Sequence, residues 1–208
     1  MKISILDSKG KSTGREVTLP KDIYAIEPNE HALYLDVKQY LANQRQGTHK
    51  AKERADITGS TRKIKKQKGT GTARAGSIKS GVFRGGGRIF GPRPRDYDVK
   101  LNKKLKKLAR KSALSLKAKD KAITIVEDFD FKTPKTKKFI DVLKALKIED
   151  KKSLLIFGKN NNVYLSSRNL KNSKVIIASE LNTYSISNAS NLILDESAVM
   201  GIVNVLKK

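Results

Sequence analysis

The sequence predicts an α/β protein: a three-layer domain with a mostly parallel sheet and a long basic loop inserted after its first helix. Three observations predict it. Four short apolar runs, "AITIV", "LLIF", "VIIA" and "LIL", lack the alternation of a half-exposed strand and so read as strands buried on both faces. The stretches between these runs are long enough for the crossovers that parallel strands need. Residues 47–95 follow neither the period of a strand nor that of a helix, and residues 57–95 alone hold nine of the fourteen glycines.

At the start of the chain, "KISILD" and "REVTLP" read as two short strands joined by a polar Gly/Ser turn, an edge hairpin. Asn29 is placed to cap a helix running through Gln44, with Leu33, Val37, Tyr40 and Leu41 at the spacing of one buried stripe. The basic loop, residues 47–95, follows. Regular structure returns at "NKKLKKLARKSALSLKAK", where Leu101, Leu105, Leu108 and Leu116 mark an apolar stripe and lysines cover the opposite face. Between the first two apolar runs a further helix is signalled, with Thr133 as N-cap, Pro134 at the first helical position, and Phe139, Val142, Leu143 and Leu146 on one face. The organisation expected is a single globular α/β domain over residues 1–208, with residues 47–95 as its extended loop.

The 208 residues carry 45 Lys and Arg against 20 Asp and Glu, a formal charge of +25. A polyanion is the partner such a charge implies. The excess is local: residues 57–119 hold 20 basic and 2 acidic residues. With 38% hydrophobic residues the remainder can bury a core. The first apolar stretch is too short for a signal peptide and no later one approaches a membrane span, so a soluble, unexported chain with no membrane partner is expected. There is no cysteine, which excludes disulfides and thiolate metal sites.

A sheet of this kind invites an enzyme, and each catalytic reading is weak. "DSKGKST" ends like a phosphate-binding loop, but Ile5 stands where that motif needs glycine, and a strand follows where its helix should begin. The spacing of Gly71 and Gly76 is followed by Ser77 and Ile78 in place of lysine and hydroxyl. His31 and His49 are the only histidines and have no ligand cluster near them in sequence. Glu127 and Asp128 follow a strand end, where a catalytic carboxylate could sit; as solvated turn residues offsetting nearby cations they need no chemistry. No catalytic residue, metal, cofactor or small-molecule substrate is expected.

The basic loop is another matter. Folded alone it loses roughly 1–2 kcal/mol of backbone entropy per residue with almost no apolar area to offset it. Against RNA, lysines and arginines release condensed counterions, and glycines let the backbone approach phosphates closely. The loop is therefore expected to be mobile alone and ordered by RNA. Phe83 and Phe90 could stack on bases or anchor the loop's return, and the lysines of the helix after it could face RNA or water.

"RQGTHKAKERADITGS" from Arg45, "QKGTGTARAGSIKS" from Gln67, "GGGRIFGPRPRDY" from Gly85 and "NKK" from Asn102 resemble the signature blocks of the bacterial large-subunit ribosomal protein four family. The blocks are long and collinear, and the resemblance covers essentially the whole chain. It implies a non-enzymatic structural constituent of the large ribosomal subunit, cytoplasmic, whose partners are 23S rRNA, neighbouring large-subunit proteins and the nascent polypeptide. It also implies that the loop threads through RNA to the peptide exit tunnel, with a tunnel-facing tip of Lys66, Gln67, Lys68, Gly69, Thr70, Gly71, Thr72, Ala73 and Arg74. The cations expected on RNA are Arg45, Lys50, Lys52, Arg54, Arg62, Lys63, Lys65, Lys66, Lys68, Arg74, Lys79, Arg84, Arg88, Arg93, Arg95, Lys103 and Lys104. The chain departs from the family's usual pattern at Ile64, Lys65 and Lys66, where Pro-Trp-Arg is common, and at Thr72 and Gly81. The rival readings, a nucleotide-dependent enzyme acting on nucleic acid and a free RNA chaperone, respectively need an intact phosphate loop and have no need of one long loop.

Overall fold

The computed structural model describes residues 1–158 and 161–207. The chain divides into two compact units, Met1–Leu41 with Lys100–Lys208, and Ala42–Val99. The first is the α/β unit. Its strands are β1 (Lys2–Leu6), β2 (Ser12–Thr18), β3 (Ile123–Val126), β4 (Ser153–Phe157), β5 (Ser173–Ile177) and β6 (Asn191–Asp195). Its helices are α1 (Lys21–Tyr24), α2 (Glu30–Ala42), α3 (Lys103–Lys119), α4 (Thr136–Ala145), α5 (Asn161–Ser167), α6 (Thr183–Asn188) and α7 (Glu196–Lys207).

The strands form one sheet in the order β2-β1-β3-β6-β4-β5, parallel throughout except for the β1–β2 hairpin at one edge. Each apolar run feeds both faces by alternation. Leu154 and Ile156 of β4, with Leu192 and Leu194 of β6, pack against Ile23, Leu114, Ile186 and Ile202 from α1, α3, α6 and α7. Leu155, Phe157 and Ile193 face the other way onto Phe139 and Leu143 of α4 and Val163 of α5. Two buried faces explain why these runs carry no polar alternation, and helices on both faces make the three layers expected.

The Gly10-Lys11-Ser12 stretch lies in the hairpin turn, where Gly10 N–H donates to Asp7 O at 2.8 Å and Asp7 N–H to Lys11 O at 2.8 Å. Both groups close a turn, and β2 follows in place of a helix.

Three expectations about helices need correction. In α2, Asn29 does cap, its Oδ1 accepting from Ala32 N–H at 2.9 Å. The helix ends at Ala42 rather than Gln44, and its most buried positions are Ala32, Asp36 and Gln39. Leu33, Val37 and Tyr40 are half-buried and Leu41 is exposed. The reason is a polar contact: Thr183 Oγ1 of α6 donates to Asp36 Oδ2 at 2.5 Å, and Tyr40 stacks on Tyr184 with ring centroids 5.1 Å apart.

In α3 the buried face is Ala109, Ser112, Ala113, Leu114, Ser115 and Ala118, not the leucine stripe, and Leu108 is exposed. Small residues let neighbouring backbone come close: Ser115 Oγ donates to Ile26 O at 2.6 Å, and Ser112 Oγ accepts from Asn29 N–H at 3.1 Å. In α4 the N-cap is Lys135 rather than Thr133, so Pro134 precedes the helix. Lys135 is held extended while its N–H donates to Ser166 Oγ of α5 at 3.0 Å, a tertiary contact that delays the helix start. The expected apolar face survives, with Phe139 and Leu143 buried.

Candidate nucleic-acid interface

Residues 43–102 contain turns and bends but neither helix nor strand. What order the Ala42–Val99 unit has comes from bonds across its two arms. Asn43 Nδ2 donates to Val99 O and Val99 N–H to Asn43 Oδ1. Arg95 N–H donates to Gly47 O, Ala51 N–H to Pro92 O, Arg88 N–H to Lys52 O, and Ile64 N–H to Gly76 O. Every one of these pairs is centred on residues 70 to 72, so the arms run antiparallel in nearly constant register and turn within residues 65–75. Residues 66–74 lie within that turn.

The base of the arms is clasped by cations on a ring. The Arg45 guanidinium lies 3.8 Å and that of Arg95 4.6 Å from the centroid of Tyr97, an arrangement favoured by the ring's quadrupole. A hydrogen bond from Arg95 holds the Tyr97 phenol below its usual range. Gly47 makes the close approach possible: its φ is +67°, and a Cβ there would meet Arg95 O at 2.0 Å. Sequence reading missed Tyr97, although its position two residues after Arg95 in "RPRDY" was visible.

The expected RNA-contacting cations fall into groups. Lys50 pairs with Asp56 at 2.9 Å and Arg93 with Glu53 at 2.5 Å, so these two are partly neutralised within the unit. The Asp56 hydrogen bond raises the Lys50 pKa, and Lys50 in turn lowers that of Asp56. Arg45 and Arg95 are engaged by Tyr97. Near the tip, Lys63 Nζ donates to Gln67 Oε1 and Lys65 Nζ to Thr72 Oγ1, each at 2.6 Å. These two bonds bridge neutral groups and leave both charges uncompensated. Lys52, Arg54, Arg62, Lys66, Lys68, Arg74, Lys79, Arg84 and Arg88 have no carboxylate at ion-pair distance among the described residues. Of the two aromatics, Phe90 is 97% exposed, so it anchors nothing in the unit and presents its ring faces outward.

Lys103 and Lys104, also expected on RNA, form the first turn of α3 in the α/β unit, with no acid in that turn. Cations at the positive end of a helix dipole cost about 0.3–1 kcal/mol each. A phosphate at that end would reverse the sign.

The remaining sequence candidates are accounted for by local contacts. Glu127 accepts from Arg15 at 2.8 Å, and Asp128 Oδ1 accepts from Ser197 N–H at 3.0 Å. His31 lies against Tyr34 and His49 near Tyr97. No group of three or more His, Cys, Asp or Glu among the described residues is arranged to hold a metal. No described helix is long and apolar enough to cross a membrane.

An α/β unit whose sheet is covered on both faces, joined in sequence to a strand-free segment most of whose cations have no acidic partner among the described residues, defines an α/β protein with a strongly basic segment. The comparisons agree: the chain belongs to the ribosomal protein L4/L1 family, whose sequence pattern matches residues 17–205. It is 69% identical over 207 residues to large ribosomal subunit protein uL4 of Christiangramia forsetii, covering 99% of this chain and 100% of that protein. It is 65% identical over 209 residues to the uL4 protein of Flavobacterium johnsoniae, with both chains fully covered. The uL4 protein of Bacteroides fragilis is 58% identical over 207 residues, 99% of this chain and 100% of the relative. Proteins of this family are structural components and not enzymes.

Proposed function

We propose that this protein is a structural component of the cytoplasmic large ribosomal subunit that binds 23S rRNA and lines the peptide exit tunnel with residues 66–74. The carrying observation is the register of the two arms. Pairs that stay centred on residues 70 to 72 from Asn43 and Val99 inward to Ile64 and Gly76 support a hairpin-like course with one tip, and apart from Lys50 and Arg93 its cations have no acidic partner among the described residues. With about 24 residues in each arm, the reach is up to ~80 Å at 3.3–3.6 Å per residue.

RNA supplies what the extension lacks. Its phosphates neutralise Arg62, Lys66, Lys68, Arg74 and the other unpaired cations, and its bases offer Phe90 a stacking surface. At the tip Gly69, Thr70, Gly71 and Thr72 are small, so they border a passage without filling it. The partners are 23S rRNA, neighbouring large-subunit proteins and the nascent polypeptide.

The reading is tested by sedimenting tagged protein with ribosomal particles after a high-salt wash. Retention in large subunits is expected. Release of all the protein, or its retention on free RNA of any origin, contradicts the assignment and favours a free RNA chaperone.

A further inference from the structure

At the amino-terminal ends of β4 and β5 the α/β unit has a cleft of about 320 Å³. It is lined by Lys152, Lys171, Lys174, Tyr184, Ser185 and Asn188, together with the first residues of the two strands, and by no acid. This is not where an α/β sheet ordinarily binds ligands, which is beyond the carboxyl ends of its strands. There the chain has Glu127, Asp128, Glu180, Asp195 and Glu196 instead. The cleft itself thus differs from that end in having lysines and no acid in its lining.

We propose that this cleft is a second RNA contact, taking one backbone phosphate and its ribose, and built without any residue of the Ala42–Val99 unit. The inference rests on the RNA-binding function proposed above and adds a site to it. Three ammonium groups around a concave surface favour an anion, and the cleft volume lies at the lower end of the ~300–1,000 Å³ typical of small-ligand sites. The polar floor is already organised: Ser153 and Ser173 hydroxyls lie 3.1 Å apart across the two strands, and Lys174 Nζ approaches Ser185 Oγ at 3.5 Å. Hydroxyl and amide groups at the rim match a ribose 2′-OH, which both donates and accepts. Tyr184 favours a nucleotide over free phosphate. Its ring is braced by Tyr40 at 5.1 Å and so offers a fixed aromatic surface beside the cations.

The test compares two full-length triple variants that remove equal charge, K152Q/K171Q/K174Q in the cleft and K132Q/K137Q/K138Q outside it. All six lysines are exposed, so neither variant disturbs the core. Binding to a 23S rRNA transcript is measured against salt. At about 0.7–0.9 per phosphate, the log-log slope of the cleft variant should be shallower by about 0.7–0.9, with the control near wild type. Equal loss in both variants overturns the proposal. In parallel, amine acylation of the wild-type protein should show Lys152, Lys171 and Lys174 protected by the transcript and not by millimolar inorganic phosphate. Protection by inorganic phosphate alone assigns the cleft to free anion and overturns the RNA contact. Tight wild-type binding without protection of these lysines defeats this inference and leaves the ribosomal reading intact. Failure of the wild-type protein to bind the transcript defeats both.

Discussion

Asp195 ends β6 with its carboxyl buried; the group accepts a hydrogen bond from the Gly158 backbone, while Oδ1 has no partner. Burial, and then the charge of Asp128, push its pKa from 3.8 up to about 7. The folded state therefore holds this proton more tightly than the unfolded chain. The two forms titrate alike below about pH 4, stability falls as pH rises from there through about 7, and the full cost is present above that. Asp195→Asn keeps an acceptor for Gly158 and removes the charge. It should raise the melting temperature at pH 8, by an amount equivalent to at most ~4 kcal/mol, and leave it nearly unchanged at pH 4. Gly47 makes a complementary case. Gly47→Ala places Cβ against Arg95 O, so it should speed proteolysis within residues 42–99 while the melting of the α/β unit stays put. Neither residue could be singled out from sequence. Asp195 is one acid after an apolar run, and Gly47 one glycine among fourteen; only the neighbours brought up by the fold give them consequence.

At the scale of elements, apolar strands were legible because burial on both faces leaves a signal independent of partners, as β4 shows with all five residues buried. Helix faces were less so. The α2 and α3 stripes were sought among leucines, but their contacts are made by Asp36 bonded to Thr183 and by the small residues Ala109, Ser112 and Ala113. A polar or small contact face has no hydrophobic periodicity to read. The first turn of α3 yields a prediction of opposed signs. Lys103→Gln with Lys104→Gln should stabilise the free protein by about 0.6–2 kcal/mol through the helix dipole, and should weaken RNA binding. Gain in both, or loss in both, would remove these lysines from the interface. Deleting residues 62–84 removes only turns and bends, so the α/β unit should fold normally and keep weaker RNA binding. Circular dichroism showing lost helix would contradict this.

For the whole molecule, the strand order β2-β1-β3-β6-β4-β5 was beyond the sequence, since β6 inserts between β3 and β4 through pairings set by long-range packing rather than local pattern. The lack of helix and strand in residues 47–95 was legible for the opposite reason: the segment has no apolar periodicity, and its charge and glycine content lie in one stretch. If roughly ten of its cations meet phosphates, the log-log salt dependence of RNA binding should have a slope of about −7 to −9. A slope near −2, about two or three phosphates, would turn most of the cations toward water.

The central claim is that the turn between the arms lies beside the growing peptide. A photo-crosslinker at Thr72, in ribosomes stalled during synthesis, measures it most directly, with Lys107 on α3 as the comparison position. The account predicts capture of the nascent chain from Thr72 and none from Lys107. Capture from Lys107 alone, or from neither position in ribosomes that contain the protein, would contradict it.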